Sequence, residues 1–309
     1  MNKIKIFSPA TVANVSCGFD ALGFAIKEIG DEMVFTKTKK KGVKIKKIEG
    51  ADLTYDVKHN AASVVVMAML NKTNADFGVE IELYKKVKPG SGLGSSASSA
   101  AGAAFATNEL LGSPFSKLEL TQFARIGERV ACGSPIADNV AAVIHGGFIL
   151  VKSYDPLEIL KLPVPADLWV TIIHPQIEIK TEDARNVLNQ HVPLADSVKQ
   201  SANLAGLISG LYTDDYGLIS RSLIDVIAEP YRKNLIPHFE EVKHIGLKKG
   251  ALGIGISGSG PSIFALCKGK TTAIKVAEGM REVYQKSDID FNIYTSKINS
   301  QGIQILDCI

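Results

Sequence analysis

Cysteine is scarce in this sequence. Only four, Cys17, Cys132, Cys267 and Cys308, are spread over 309 residues, and no two form a C-x-x-C pair. That spacing builds neither a disulfide framework nor a structural zinc site, and it reads as isolated thiols. The six histidines include no H-E-x-x-H, so a zinc enzyme has no support. Long apolar runs are missing too, none approaching the roughly 18 residues that a membrane span requires. The first residues, "MNKIKIF", alternate polar and apolar like a strand and lack the apolar stretch and cleavage site of a signal peptide, so a cytoplasmic protein is expected. Excess charge is also lacking: 35 Lys and Arg against 32 Asp and Glu leave a net +3. Neither nucleic acid nor membrane is therefore expected as a partner. The local exception is "KTKKKGVKIKK" at 37–47, where Val43, Ile45 and Ile48 suggest a hairpin strand whose lysines guard a solvent edge.

What the chain does have is a 46% hydrophobic content, enough for a substantial core, and a length that suits one large or two medium domains. Alternation and periodicity suggest strands at about 3–7, 31–37, 43–48 and 79–85, helices at about 59–72, 94–111 and 116–131, and a strand at 146–152. The proline-bearing "KLPVPADLW" at 161–169 marks a boundary, giving domains of 1–163 and 164–309. The second half opens on the strand "LWVTIIHP" and passes through helices at about 182–190, 194–211, 214–226 and 238–248. Two short strands around Gly258, a helix at 271–286 and a strand at 291–298 complete a β-α-β-β-α-β order with extra helices inserted. Two α+β domains are expected.

Chemistry concentrates in three glycine-bearing loops. In "PGSGLGSSASSAAG" (89–102), glycines 90, 92 and 94 let the backbone turn sharply and approach a ligand, and the small residues that follow begin a helix. Unpaired amides and the helix dipole there favour an anion, phosphate above all. This is not a Walker A loop, because Ser95 follows Gly94 where that motif needs lysine. A G-x-G-x-x-G at Gly253, Gly255 and Gly258 runs on into Pro261 and a strand rather than a helix, so it is not a dinucleotide fingerprint. Near the N-terminus, "SPATVANVSCGFDALGFAI" (8–26) gathers Asn14 and Asp20 around a Cys-Gly-Phe turn, where such residues also satisfy their own backbone.

Taken together, "PATVANVSCGFDALG", "PGSGLGSSASSA" and "GISGSGPS" resemble the three motifs of the GHMP kinases, the superfamily of galactokinase, homoserine kinase, mevalonate kinase and phosphomevalonate kinase. With "DNVAAVIHGGF" (138–148), "TEDAR" (181–185) and "EPYRKNLIPHF", the chain is most similar to the homoserine kinases over nearly its whole length. The resemblance implies an N-terminal domain like domain 2 of ribosomal protein S5, a ferredoxin-like C-terminal domain, and a site between them. It also implies ATP-dependent phosphorylation of the side-chain hydroxyl of L-homoserine, on the route to threonine, with Mg²⁺, often in a homodimer.

The same resemblance assigns residues. The loop Pro89, Gly90, Ser91, Gly92, Leu93, Gly94, Ser95, Ser96, Ala97, Ser98 and Ser99 would wrap the triphosphate, and Ser96 and Glu128 would hold the metal ion. "GISGSGPS" would pack beneath that loop. Asp20 and Asn14 match the residues that hold the amino and hydroxyl end of the acceptor, Arg185 and Arg232 those that hold its carboxylate, and Thr181 and Asn139 are second-rank contacts. Asp20, Glu128 and Asn139 are the expected catalytic residues, and no general base is assigned. Read on the residues alone, Glu128 could instead be a surface carboxylate paired with Arg125 or Arg129, and either Arg185 or Arg232 could form an interdomain salt bridge. One departure is Ile136 in "SPIADN", where the family often has histidine. The alternatives are a mevalonate- or shikimate-type kinase, which would have no ammonium for Asp20, and a non-catalytic nucleotide or metabolite sensor, which would have less need of both Ser96 and Glu128.

Overall fold

The computed structural model describes residues 1–308. Its first half comprises β1 (Lys3–Ala13), β2 (Leu22–Thr38), β3 (Gly42–Glu49), α1 (Ala61–Thr73), β4 (Gly78–Tyr84), α2 (Ser95–Leu111), α3 (Lys117–Cys132), α4 (Asp138–His145), β5 (Phe148–Tyr154) and β6 (Leu157–Leu162). The second half adds β7 (Leu168–Pro175), α5 (Thr181–Asn186), α6 (Leu194–Thr213), α7 (Tyr216–Ser222), α8 (Glu229–Arg232), α9 (Phe239–Lys248), β8 (Gly253–Ile256), β9 (Ile263–Lys268), α10 (Lys270–Tyr284), β10 (Phe291–Lys297) and β11 (Gln304–Cys308).

The first sheet runs β11-β1-β2-β4-β3, with β5 and β6 attached through the start of β2. Helices α1 to α4 cover one face, burying Ile6, Met33, Phe35, Met69 and Ile81. Helix α2 lies in the middle of this layer, and its run of alanine, serine and glycine is what such a position demands. A Cβ at Gly127 of α3 would stand 2.6 Å from the Ala100 methyl, so larger residues at this crossing would drive the helices apart. The sequence-predicted hairpin at 37–47 is corrected here. Strand β3 pairs with β4, in parallel, and not with β2. Helix α1 supplies the crossover that a parallel pair requires, and β4 slots between the two strands that a hairpin would have joined. The lysines do line the free edge of the sheet, with Lys46 paired to Glu82.

The second sheet is antiparallel in the order β10-β7-β9-β8, the ferredoxin-like arrangement in chain order 4-1-3-2. Helices α9 and α10 bury Val242, Val276, Met280 and Tyr284 against one of its faces. Its other face meets the first half, where Phe24 lies between Phe148 and Phe264 at centroid distances of 4.7 and 6.3 Å. The fold is thus mixed α+β in two layers joined by an apolar seam.

Several elements depart from the sequence expectation. Strands β1 and β2 are each longer, so most of 8–26 is strand and only the turn around 14–21 is irregular. The helix expected over 182–190 stops at Asn186, and that over 214–226 stops at Ser222. Helix α4 and strands β6 and β11 were not expected. Helix α4 starts without a side-chain cap, and β11 is a five-residue edge strand that returns to pair with β1, so the last residues of the 164–309 segment lie in the first sheet.

Candidate active site

A cavity of about 870 Å³ opens between the two halves, within the range of small-molecule sites. On one side lies the glycine-serine loop. Gly90, Gly92 and Gly94 all have positive φ (67, 75 and 67°), a conformation that side chains resist. Contact adds a second reason at Gly92, where a Cβ would sit 2.5 Å from the Ser257 carbonyl oxygen and 2.6 Å from that of Gly260. The segment 257–262 lies directly under the loop: the Ser257 hydroxyl donates to the Gly92 carbonyl at 2.7 Å, and the Ser262 amide to that of Ser91 at 3.2 Å. Gly94 is the N-cap of α2 and has no capping side chain, so the first-turn amides are left uncapped at the end of the helix where Gly94, Ser95 and Ser96 line the cavity.

Of the loop residues expected to surround a triphosphate, Pro89, Gly90, Ser91, Gly92, Gly94, Ser95, Ser96 and Ser99 line the cavity. Leu93, Ala97 and Ser98 turn their side chains away. Leu93 and Ala97 enter the two cores, and the Ser98 hydroxyl donates to the Ser8 carbonyl at 3.1 Å. Across from Ser96, Glu128 is buried and free of arginine partners, and its Oε1 has no hydrogen-bond partner. Burial pushes its pKa up to about 7, against a smaller opposing pull from the Ser96 hydroxyl and the Lys85 charge. A buried carboxylate oxygen left without a partner, beside the Ser96 hydroxyl, offers the oxygen ligands a hard cation takes, while the neighbouring amides suit the anion such a cation would accompany.

The opposite wall is built by the turn after β1. Asn14, Val15, Ser16 and Asp20 all take left-handed backbone angles, a strain that structures hold at functional sites. Asn14 fastens the turn, its Oδ1 accepting the Asp20 amide at 3.0 Å and its Nδ2 donating to the Gly258 carbonyl at 2.9 Å. Arg185, from α5, donates through Nη2 to both Asp20 carboxylate oxygens at 2.8 and 2.9 Å, while its Nε is buried and unpartnered. Arg232 donates to the Ala184 and Gly258 carbonyls at 2.8 and 3.0 Å, and burial next to Arg185 pulls its pKa down to about 10. Both guanidinium groups flank the Phe19 ring, at 5.7 and 5.1 Å. Asn139, in the first turn of α4, accepts from Thr11 at 2.6 Å, and Thr181 and Ile136 complete the wall.

Two contributors, Thr11 and Lys85, escaped the sequence reading, and a third, Asp138, stood in it beside Asn139 with no role assigned. Thr11 fixes Asn139. Asp138 is buried beside it, and burial together with the Asp20 charge raises its pKa to about 7. Lys85, fully buried, pairs with Asp31 and donates to the Ser95 carbonyl and the Ser99 hydroxyl, both at 2.9 Å, bracing the start of α2 from below. Parity held the signal for Lys85: in "VEIELYK" the inward positions Val79, Ile81 and Leu83 run on to Lys85.

Residues 60–147 match the family model of the GHMP kinases N terminal domain, and residues 207–286 that of the GHMP kinases C terminal. The fold and this cleft therefore define a GHMP kinase, an enzyme that moves a phosphoryl group onto an alcohol. The chain is 45% identical to a homoserine kinase of Chlorobium phaeobacteroides over 320 aligned residues, covering 99% of this chain and 100% of that one. It is 42% identical to a homoserine kinase of Methanococcus maripaludis, covering 92% and 94%. The crystal structure of homoserine kinase from Cytophaga hutchinsonii superposes with a TM-score of 0.96 at 48% identity, over 99% and 98% of the two chains. A mevalonate kinase of L. major in complex with R-mevalonate shares the fold, with a TM-score of 0.72 at 16% identity over 95% and 96%. Within the superfamily, the chain belongs to the homoserine kinases.

Proposed function

We propose that this homoserine kinase carries the γ-phosphoryl group of ATP to the side-chain hydroxyl of L-homoserine within the cavity between its two halves. The observation that carries the reading is the pairing of opposites across one space. Backbone amides and a helix N-terminus suited to phosphate stand on one wall, and a carboxylate and two guanidinium groups suited to an amino acid stand on the other. Phosphoryl transfer asks the protein mainly to position its two substrates and to neutralise charge.

The loop 89–99 and the first turn of α2 would hold the triphosphate, and Ser96 and Glu128 would hold Mg²⁺. The unpartnered Glu128 oxygen supports that assignment. Once bound, the ion spreads the negative charge that develops on the phosphates. Asp20 would receive the ammonium of homoserine, and Arg185 and Arg232 its carboxylate. Asn14 would act by holding the Asp20 turn in place, and Asn139 and Thr181 would line the path of the hydroxyl. Division of the chain into a nucleotide-holding segment 1–163 and a second segment 164–309, the latter lending β11 to the first sheet, belongs to the same reading. So do a cytoplasmic setting, small molecules rather than nucleic acid as partners, and a homodimer, which sedimentation would test.

ADP release by the purified protein with MgATP and L-homoserine, mevalonate, shikimate or galactose tests the proposal. Turnover with homoserine alone, abolished in Glu128→Ala, supports it. Preference for an alcohol without an ammonium would overturn the role given to Asp20, and nucleotide binding with no turnover would favour a sensor.

A further inference from the structure

The two peptide segments that carry Asp20 and Asn139 come from distant parts of the chain, yet one side-chain oxygen joins them. The Tyr154 hydroxyl, at the end of β5, donates to the Asp20 carbonyl at 2.9 Å and accepts the Ala137 amide at 3.2 Å. Asp20 is a non-glycine residue in a left-handed conformation, so its main chain needs outside support to keep the carboxylate aimed at the cavity. Ala137 is the N-cap of α4, immediately before Asp138 and Asn139, and has no capping side chain of its own.

The ring is itself held. The Arg125 guanidinium lies 5.3 Å from its centroid, and Arg125 Nε donates to the Pro135 carbonyl at 2.8 Å. Arg125 belongs to α3, one turn before Glu128. The Tyr154–Arg125 unit therefore spans from the helix bearing Glu128, through the 133–137 turn, to the backbone of Asp20. A phenylalanine at position 154 would keep the stacked ring and lose only the oxygen that both segments share.

We propose that Tyr154 is a positioning residue for the alcohol acceptor, its hydroxyl fixing the spacing between the Asp20 turn and the start of α4. The inference rests on the acceptor site proposed above. The hydroxyl acts on the acceptor side, because neither segment it touches belongs to the loop 89–99; only the Arg125 brace behind the ring reaches the helix that bears Glu128.

Steady-state kinetics of Tyr154→Phe, with homoserine and ATP varied separately, test it. The KM for homoserine is expected to rise roughly five- to thirtyfold, the range between the loss of one and of both neutral hydrogen bonds of the hydroxyl, with the KM for ATP unchanged. Arg125→Met, which frees the ring but leaves the hydroxyl, should move the homoserine KM in the same direction by less, and guards against a poorly folding Tyr154→Phe. An unaltered homoserine KM in both variants, or equal rises for homoserine and ATP, overturns the proposal. Arg185→Met run alongside separates the two readings. If it too leaves the homoserine KM unchanged, the acceptor site is wrongly located; if it raises that KM while the Tyr154 and Arg125 variants do not, only the role of Tyr154 falls.

Discussion

Arg185 and Asp20 meet across the cleft between the two halves of the molecule, the guanidinium Nη2 donating to both carboxylate oxygens at 2.8 and 2.9 Å. Each is about a third exposed, so the pair sits at the mouth of a site rather than in a core. An amino acid carries the same two charges on one small molecule. It can insert by giving its ammonium to Asp20 and its carboxylate to Arg185, exchanging one ion pair for two. A substrate without an ammonium would have to break the pair and leave Asp20 uncompensated, which is a physical basis for discriminating homoserine from mevalonate.

Replacing Arg185 with methionine should therefore raise the homoserine KM by about ten- to a hundredfold, the range expected for a lost charge-assisted hydrogen bond. Lysine should restore little, because a point charge cannot reproduce the planar fork. Initial rates with homoserine varied at saturating MgATP measure both. A lysine variant with the parent's KM would show that charge alone suffices.

Gly92→Ala should weaken the nucleotide side more than the acceptor side, which it reaches only through the 257–262 segment whose Gly258 carbonyl Asn14 and Arg232 hold. The added methyl would meet two backbone oxygens at 2.5 and 2.6 Å, and φ is +75°, so both strain and clash oppose it. Neither obstacle is a flexible side chain that could swing away. Nucleotide titration by calorimetry should show at least a tenfold weaker affinity, with a smaller loss for homoserine.

The three glycine loops could be read from the sequence because their chemistry is local. A glycine at positive φ, a small residue opening a helix, or an aspartate in a turn signals itself within a few positions. Lys85, Thr11 and Tyr154 act instead through partners 10 to 134 positions away; parity along β4 marks Lys85 as inward-facing, but no neighbourhood of the three names the partners that make it part of a site. The parallel pairing of β3 with β4 was hidden for a related reason. The sequence 37–48 describes a strand with a polar edge, but which neighbour it takes is decided by where α1 crosses. Strand β11, short and mostly exposed, carries no pattern at all; only the free edge of β1 gives it a place.

The buried pair of Lys85 and Asp31 should be a strong determinant of stability. Both side chains are wholly inaccessible, and Asp31 Oδ1 also accepts the Lys86 and Val87 amides at 2.8 and 3.0 Å. Lys85→Met would leave a carboxylate buried without its counter-charge, at a cost of about 3–5 kcal/mol. Urea unfolding should show this as a lower midpoint. Adding Asp31→Asn should recover part of the loss, since the amide oxygen still accepts the two backbone bonds while the buried charge is gone. No recovery would mean that the lysine acts through Ser95 and Ser99 rather than through Asp31.

Asp138 gives the site a signature in pH. Its carboxyl is buried, and burial and the nearby Asp20 charge raise its pKa from 3.8 to about 7, with Glu128 adding to the rise and Arg185 opposing it. Because the folded value lies above the unfolded one, the native state holds a proton that the unfolded chain has already released between those two pH values. Stability from this group is therefore fully present below about pH 4 and is lost as pH rises to 7, beyond which the penalty is constant. Asparagine at this position keeps the shape and an acceptor for the Asn139 amide, which bonds Asp138 Oδ1 at 2.7 Å, but cannot ionise. The difference in unfolding free energy between Asp138→Asn and the parent should therefore favour the variant increasingly from pH 4 to 7, by up to a few kcal/mol, and level off above. Urea unfolding at pH 5, 6, 7 and 8 measures it. A difference that does not vary with pH would mean that Asp138 ionises in the fold as readily as in water, and that the cavity wall around it is wetter than its burial indicates.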